Sequence, residues 1–143
     1  MNQINKVARV QVETFDPYSY DNPIHPERFL GLHEQSLARG TGVKQFGVNQ
    51  VRLDPGSYSA LRHWHTGEDE FVLILEGVLT LIDDAGEREM VPGDFVGFPA
   101  GQENAHHFAN FSEAPGVYLV VGSRKPGLDV CHYPDDDFGP VQR

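Results

Sequence analysis

The chain has little cysteine and little positive charge. Only one of its 143 residues is a cysteine, Cys131, so no disulfide can form within the chain and a reducing cytoplasm is the expected setting. Lys and Arg total 11 against 21 Asp and Glu, which gives a net charge of −10. This balance argues against DNA, RNA or an anionic membrane surface as partners, because each of these binds basic surfaces.

Long apolar runs are also missing. None is longer than the run Phe71 to Leu75, which has the length of a buried strand, whereas a membrane-spanning helix needs about 20 residues. No apolar stretch follows the first residues, Met1 to Lys6, so no secretory signal is expected. These features predict a single soluble, cytoplasmic domain that spans residues 1–143.

Helical periodicity is weak, and turn residues are abundant instead. The chain has 15 Gly and 10 Pro, which recur between short apolar stretches. Short strands separated by turns are typical of an all-β sandwich or barrel. Eight strands are predicted, at residues 44–53, 57–65, 70–76, 78–83, 87–91, 95–98, 106–111 and 117–123. We expect the barrel core at 44–123, an N-terminal arm at 1–43 and a C-terminal tail at 124–143.

The two flanks are expected to add little to the core. A short helix or two is predicted within residues 26–40, around His33 and Glu34. In the arm, Val7 to Val12 alternates well enough for a strand that lies on its own barrel or on a partner subunit. The tail carries an acidic stretch, Pro134 to Asp137, that we expect to be solvated or to form the edge of a lid.

The main functional signal is a cluster of metal-binding residue types. His63 and His65 flank Trp64 on a predicted strand, so their imidazoles share one face, about 6.6 Å apart along it. Glu70 opens the next predicted strand, and His106 opens a later one. An imidazole nitrogen lies roughly 2.1 Å from a metal such as zinc, so paired rings can bind one ion. Nitrogen and oxygen donors suit a borderline divalent metal rather than copper(I) or an iron–sulfur cluster.

These residues lie in two motifs that resemble those of the cupin superfamily. The first comprises a glycine, an H-x-H pair, a glutamate and a second glycine: Gly56, His63, His65, Glu70 and Gly77. The second comprises a glycine, a P-x-G turn, a histidine and an asparagine: Gly93, Pro99, Gly101, His106 and Asn110. The resemblance implies a double-stranded β-helix, a jelly-roll barrel with few short helices, a metal near its centre and one open end.

The second motif departs from the usual cupin spacing. Four residues precede its histidine where two are typical, which leaves His106 and His107 as alternative ligands. Strand alternation favours His106, because His106 and Asn110 then share one face and His107 points outward. The first motif is one residue longer than is typical before its histidine pair, which a bulge or loop would accommodate.

Glu70 also has two interpretations. Its spacing to Gly77 selects it over Glu68 and Asp69, and the corresponding glutamate of cupins often binds the metal. The alternative is a carboxylate that only hydrogen-bonds to a metal ligand. The resemblance thus implies one divalent transition metal per chain (Fe, Mn, Ni or Zn), with the ligands His63, His65, Glu70 and His106.

The resemblance leaves two main functions open. One is a metalloenzyme, an isomerase or lyase with Lewis-acid chemistry or a dioxygenase, with a small-molecule substrate at the mouth of the barrel. The other is a non-catalytic, metal-containing cupin that binds a sugar or organic acid as a sensor. A metal-free structural barrel fits poorly, because buried unpaired polar groups are costly. A homodimer is expected, since small cupins commonly pair through sheet edges.

No catalytic residue is evident from the sequence. Glu103, near the expected mouth, is the one candidate general base, and a solvated surface position is its alternative. The motifs also resemble a group of small cupins, some of which are labelled sugar-phosphate isomerases. The sequence gives no support for phosphate binding, because no cluster of Arg or Lys is evident. Arg62 is expected to be plain surface charge, and Cys131 a small buried thiol.

Overall fold

A computed structural model describes residues 5–10, 16–17 and 24–143 of the chain. These residues contain twelve strands and one 3₁₀ helix. The 3₁₀ helix is Pro26–Phe29. The strands are β1 Asp16–Pro17, β2 Leu32–Ser36, β3 Phe46–Leu53, β4 Trp64–His65, β5 Glu70–Glu76, β6 Leu79–Asp83, β7 Gly86–Met90, β8 Phe95–Phe98, β9 His107–Ala109, β10 Gly116–Ser123, β11 Val130–His132 and β12 Val141–Gln142.

The largest sheet has six antiparallel strands in the order β1-β2-β3-β10-β5-β8. Strands β3 and β10 pair along their whole length, from Phe46 opposite Ser123 to Leu53 opposite Gly116. Strand β5 shows why this sheet has two different faces: Val72 and Ile74 are buried, whereas Phe71 and Leu75, which flank this pair, are exposed. This period of two places alternate side chains in the core.

The other wall of the barrel consists of two smaller sheets, β7-β6-β9 and β12-β11-β4. Two isolated bridges, Tyr58 with Ala109 and His63 with His106, join the segment before β4 to β9 and thereby link these sheets. Strands β6 and β7 form a hairpin in which Asp83 pairs with Gly86. Gly86 has φ 108°, a conformation that favours glycine and that the tight turn of this hairpin uses.

The hydrophobic core lies between the two walls. Leu53, Val72 and Ile74 come from the six-stranded sheet and pack with Leu79 and Phe108 from the other wall. The chain crosses between the walls at Gly77, which has φ 72° and at which a Cβ would overlap the carbonyl oxygen of Pro115. The all-β prediction is confirmed.

The prediction for residues 26–40 is wrong in part. Only the 3₁₀ turn at Pro26–Phe29 is helical, and His33 and Glu34 lie in strand β2. Strand β2 pairs with β3 along five residues, so long-range hydrogen bonds override a weak local preference. The predicted strand at 57–65 is also shorter, because only Trp64–His65 is regular strand.

The tail is not a solvated appendage. Strand β11 pairs with β4 and with β12, so residues after 124 complete one wall of the barrel. Arg62 holds the acidic stretch: its Nε and Nη2 donate to the two carboxylate oxygens of Asp135 at 2.6 and 2.7 Å. Its side chain is only 18% exposed, so the prediction of plain surface charge is wrong.

In the arm, the described part of the predicted strand, Val7 to Val10, forms no strand, and Gln11 and Val12 lie outside the described residues. Within the described ranges, no helix is long and apolar enough to cross a membrane.

Candidate metal centre

The three predicted histidine ligands lie side by side on one wall of the barrel. The backbones of His63 and His106 pair directly: His106 N donates to His63 O at 2.9 Å, and His63 N donates to His106 O at 3.2 Å. Residues directly opposite in an antiparallel pair share a face, and the two ring centroids are 5.2 Å apart. The ring of His65, two residues along, lies 5.1 Å from that of His63.

Glu70 reaches the histidines from the opposite wall, because it is the first residue of β5. Its Oε1 lies 2.7 Å from His106 Nε2. One donor atom each of His63, Glu70 and His106 lies within 4.8 Å of the other two. His65 groups instead with His63 and Cys131 within the same distance. Three of the four predicted ligands therefore converge closely, and His65 adjoins them through His63.

Each histidine has its Nδ1 bound to a fixed acceptor. His63 Nδ1 is 2.7 Å from Leu61 O, His106 Nδ1 is 3.0 Å from Asn104 O, and His65 Nδ1 is 2.8 Å from Asp129 Oδ2. Carbonyl and carboxylate oxygens only accept hydrogen bonds, so all three Nδ1 atoms carry a proton. In the neutral rings this leaves the lone pair on Nε2, which is the tautomer that metal-binding histidines adopt when an outer partner fixes them.

The short contact between His106 and Glu70 fits a bound cation. With Nδ1 of His106 already donating, its Nε2 and the carboxylate of Glu70 both present lone pairs across 2.7 Å. Two acceptors that close need a proton or a cation between them. The set of imidazole nitrogens and one carboxylate matches the ligands that zinc and similar divalent ions take, so the residues present fit a metal.

Burial and charge keep these groups in their metal-binding forms. Burial lowers the pKa of His63 to about 4, so the ring is neutral at neutral pH. Burial alone would raise the pKa of Glu70, but the close contact with His106 and the other nearby histidines lower it to about 2. The site thus holds a neutral imidazole beside an ionised carboxylate.

Asp129 also belongs to the candidate site, although no sequence motif includes it. Its carboxylate is completely buried and bridges two groups, accepting from His65 Nδ1 and from Gly67 N at 2.9 Å. The hydrogen bonds from Gly67 and His65 lower the pKa of Asp129, although burial opposes them. No motif marks this residue, because it reaches His65 only when β11 pairs with β4.

His107 lies on the other face of its strand, but it is not solvent-exposed as expected. Its Nδ1 donates to Ala60 O at 2.8 Å, and its ring lies 5.3 Å from that of Tyr58. The side chain is buried, and burial lowers the pKa of the ring. The prediction that His107 points outward into solvent was wrong. It assumed that this face of the strand is exposed, whereas other parts of the chain cover it.

Cys131 is the small buried thiol that was predicted. It is completely buried, and burial raises the pKa of its thiol to about 11. Metals bind the thiolate, so a thiol with this pKa is a weaker ligand than the neighbouring imidazoles at neutral pH.

A cavity of about 540 Å³ lies between the walls and includes all four predicted ligands in its lining. Its remaining charged lining includes Glu34, Arg124 and Arg143. Burial raises the pKa of Glu34, although the Asn49 hydrogen bond and the charges of Arg124 and Arg143 oppose the shift. Glu103, by contrast, is exposed and outside the cavity lining. The two arginines are far apart in sequence, which is why no basic cluster was evident.

Comparison with known proteins agrees with this architecture. The cupin domain family matches residues 49–122. A sugar phosphate isomerase of the cupin superfamily from Silicibacter pomeroyi is 42% identical, with a TM-score of 0.78 over 91% of this chain and 83% of its own. A structure from Acidithiobacillus ferrooxidans, named only provisionally for the same activity, is 35% identical, with a TM-score of 0.69 over 73% of this chain and 65% of its own.

More distant structures share the fold alone. The polyketide cyclase RemF from Streptomyces resistomycificus is 22% identical, with a TM-score of 0.65 over 84% of this chain and 81% of its own. No functionally curated protein matches the sequence.

The chain therefore belongs to the cupin superfamily, and its two walls are those of the cupin barrel.

Proposed function

We propose that this cupin is a metal-dependent enzyme that moves a proton on a small hydroxy-carbonyl substrate, as an isomerase or lyase does. One divalent ion is held by His63, His65, Glu70 and His106. The observation that carries the proposal is the convergence of imidazoles with fixed Nδ1 protons and an ionised carboxylate on one cavity. The cavity volume falls in the range of small-molecule sites.

The chain's own residues supply the rest of the site. When bound, the divalent ion polarises a carbonyl or hydroxyl oxygen as a Lewis acid. Glu34 is the carboxyl on the cavity wall whose pKa burial raises, which makes it the better placed of the lining carboxyls to give and take a proton. Phe98 stacks on His106 at a centroid distance of 3.5 Å and keeps water from that side of the ring.

The name of the Silicibacter relative supports this type of chemistry. Isomerisation of a sugar phosphate moves a proton between neighbouring carbons, and that relative shares 42% of its residues with this chain over most of both lengths. A dioxygenase or a binding module would use the same metal ligands and would need no proton-transferring acid on the cavity wall. The position of Glu34 in the cavity favours proton transfer over both.

Deuterium exchange tests the proposal whatever the product is, because it detects the proton transfer itself. Metal-loaded and chelator-treated protein are incubated in D₂O with a panel of small aldose and ketose phosphates and free hydroxy-aldehydes, and proton NMR follows the carbon beside the carbonyl. We expect metal-dependent deuterium incorporation with at least one substrate. Glu34→Gln should retain the metal but lose most of the exchange.

The alternatives give different results in the same assay. Oxygen consumption with no deuterium incorporation would replace the proposal with a dioxygenase. Saturable ligand binding without exchange or turnover would replace it with a binding module. Exchange that Glu34→Gln leaves unchanged would refute the role of Glu34.

We also propose that the protein is a homodimer and that it is cytoplasmic. The outer face of the six-stranded sheet carries three exposed aromatic rings, Phe46, Phe71 and Phe95, which suit a second copy of the chain. Phe71 and Phe95 stack at 5.7 Å. Light scattering should show a dimer that Phe71→Lys converts to a monomer, and a monomeric wild-type protein would contradict this assignment.

A further inference from the structure

The cavity contains a second charged feature besides the metal centre. Arg124 follows β10, and Arg143 follows β12, yet both line the cavity that holds the four predicted metal ligands. Both guanidinium groups act on the same carboxyl, since their charges oppose the raised pKa of Glu34. Two positive groups from distant parts of the chain are therefore brought to one region of an otherwise acidic protein.

Two glycines make room for Arg124. Gly47 on β3 and Gly122 on β10 are paired directly, and neither has a positive φ that would call for glycine. A Cβ at Gly47 would overlap the guanidinium of Arg124, and a Cβ at Gly122 would come within 3.3 Å of its Nη1. The paired glycines thus form a trough on the cavity face of the sheet, and the guanidinium lies in it.

The register of the sheet places this trough beside the metal centre. Gly122 pairs with Gly47 on one side and with Glu70 on the other, so the three residues form one row across the sheet. Neighbouring strands lie roughly 4.8 Å apart, which puts Gly47 about 10 Å from Glu70. That separation suits a substrate of a few carbons with one end at the metal and the other at Arg124.

The two guanidinium groups have donors to spare. Among the described residues, neither forms a salt bridge with a carboxylate. Arg124 donates through Nη1 to the carbonyl oxygens of Gly122 and Ser123, each at a long 3.4 Å.

Glu68 and Asp69 also line the cavity, and one oxygen of each accepts a hydrogen bond from a backbone N–H. Asp69 Oδ1 accepts from Ala100 N at 2.7 Å, and Glu68 Oε2 accepts from Lys125 N at 3.2 Å. Their acceptor atoms therefore have partners other than the two arginines.

We propose that Arg124, lying in the trough of Gly47 and Gly122, and Arg143 bind the phosphate group of the substrate beside the metal centre. The inference rests on the proposed function for the identity of the substrate, and it adds a phosphate-binding group that no cluster of Arg or Lys in the sequence indicated. Guanidinium forks match phosphate oxygens in geometry and charge.

Phosphate binding in variant proteins tests the proposal, with inorganic phosphate as the probe and isothermal titration calorimetry as the measurement. Arg124→Ala should weaken binding about tenfold or more, as the loss of a charge-assisted fork predicts. Gly47→Ala keeps every charge but displaces the guanidinium from the trough, so it should weaken binding similarly. Arg39→Ala, on an exposed loop outside the cavity lining, is the control for net charge and should leave binding within about twofold of wild type.

The measurement is made on metal-loaded and chelator-treated protein, since a bound metal could itself take phosphate. Arg124-dependent binding in both forms supports the subsite. The subsite is overturned if Arg124→Ala binds phosphate as tightly as wild type, or if removal of the metal abolishes phosphate binding. Phosphate binding that depends on Arg124 in a protein that takes up no metal would refute the proposed function and leave the subsite standing.

Discussion

Replacing Asp129 with asparagine tests whether metal affinity depends on the orientation of His65, because the ligand itself stays in place. The two side chains have nearly the same shape, so no cavity opens in this completely buried position. The aspartate accepts from both His65 Nδ1 and Gly67 N, and an amide can accept through only one of its two atoms. If the amide NH₂ faces His65, the ring must move its proton to Nε2, and that nitrogen can no longer bind a metal. If the amide oxygen faces His65, Gly67 N loses its acceptor instead.

The expected loss of metal affinity follows from this choice. Removal of a group that orients a metal-binding histidine typically costs 10–100-fold in affinity, which is about 1.4 to 2.7 kcal/mol. We expect Asp129→Asn to fall in the upper half of this range, because the carboxylate also fixes the loop at Gly67. His65→Ala removes the ligand itself and should cost more.

Competition with a chromophoric chelator measures the affinity for Zn²⁺ in wild type, Asp129→Asn and a control. The control is Asp137→Asn, because Asp137 is exposed in the same tail and its substitution changes the net charge equally. Circular dichroism verifies that each variant is folded. Equal Zn²⁺ affinity in wild type and Asp129→Asn would refute the role of Asp129 in orienting His65.

Three further predictions concern the same region. His106→Ala should abolish tight metal binding, whereas His107→Ala should keep the metal. His107→Ala should instead lower the free energy of unfolding by about 1–3 kcal/mol in chemical denaturation, because Ala60 O loses its donor. Metal loss in His107→Ala but not in His106→Ala would contradict the ligand assignment. Glu70→Gln should weaken Zn²⁺ binding at least tenfold if Glu70 is a ligand, and an unchanged affinity would leave it only a hydrogen-bonding role. The pKa of Cys131 is raised to about 11, so its reactive thiolate forms only at high pH. Alkylation of the folded protein should therefore be slow at pH 8 and should accelerate towards pH 11. Rapid labelling at pH 8 would show instead that the thiol is accessible and ionised.

Local patterns predicted the centre of the barrel well. The strands Glu70–Glu76 and Phe95–Phe98 have the predicted bounds, because apolar residues alternate there between clear turns. The strands β2, β11 and β12 were not predicted, since they form through pairing with distant strands rather than through their own sequence pattern.

The residues of the candidate site likewise fall into those that local spacing predicts and those that depend on pairing between distant strands. The spacing of His63, Glu70 and His106 selected residues that the structure brings together. Asp129 and Arg143 reach the site only because the C-terminal segment folds back along β4, and no local spacing records that return. Arg124 lies in a trough that depends on the register of β3 and β10, so its role is also invisible before the sheet is known.

Metal content per chain shows whether this cupin binds an ion at its cluster of histidines. The protein is purified without chelator or metal-affinity resin, and elemental analysis is made before and after incubation with Fe²⁺, Mn²⁺, Ni²⁺ or Zn²⁺. We predict about one divalent ion per wild-type chain and little or none in a folded His63→Ala, His106→Ala double variant. A wild-type chain that binds no metal under any of these conditions, or a double variant that retains one ion, would contradict the account.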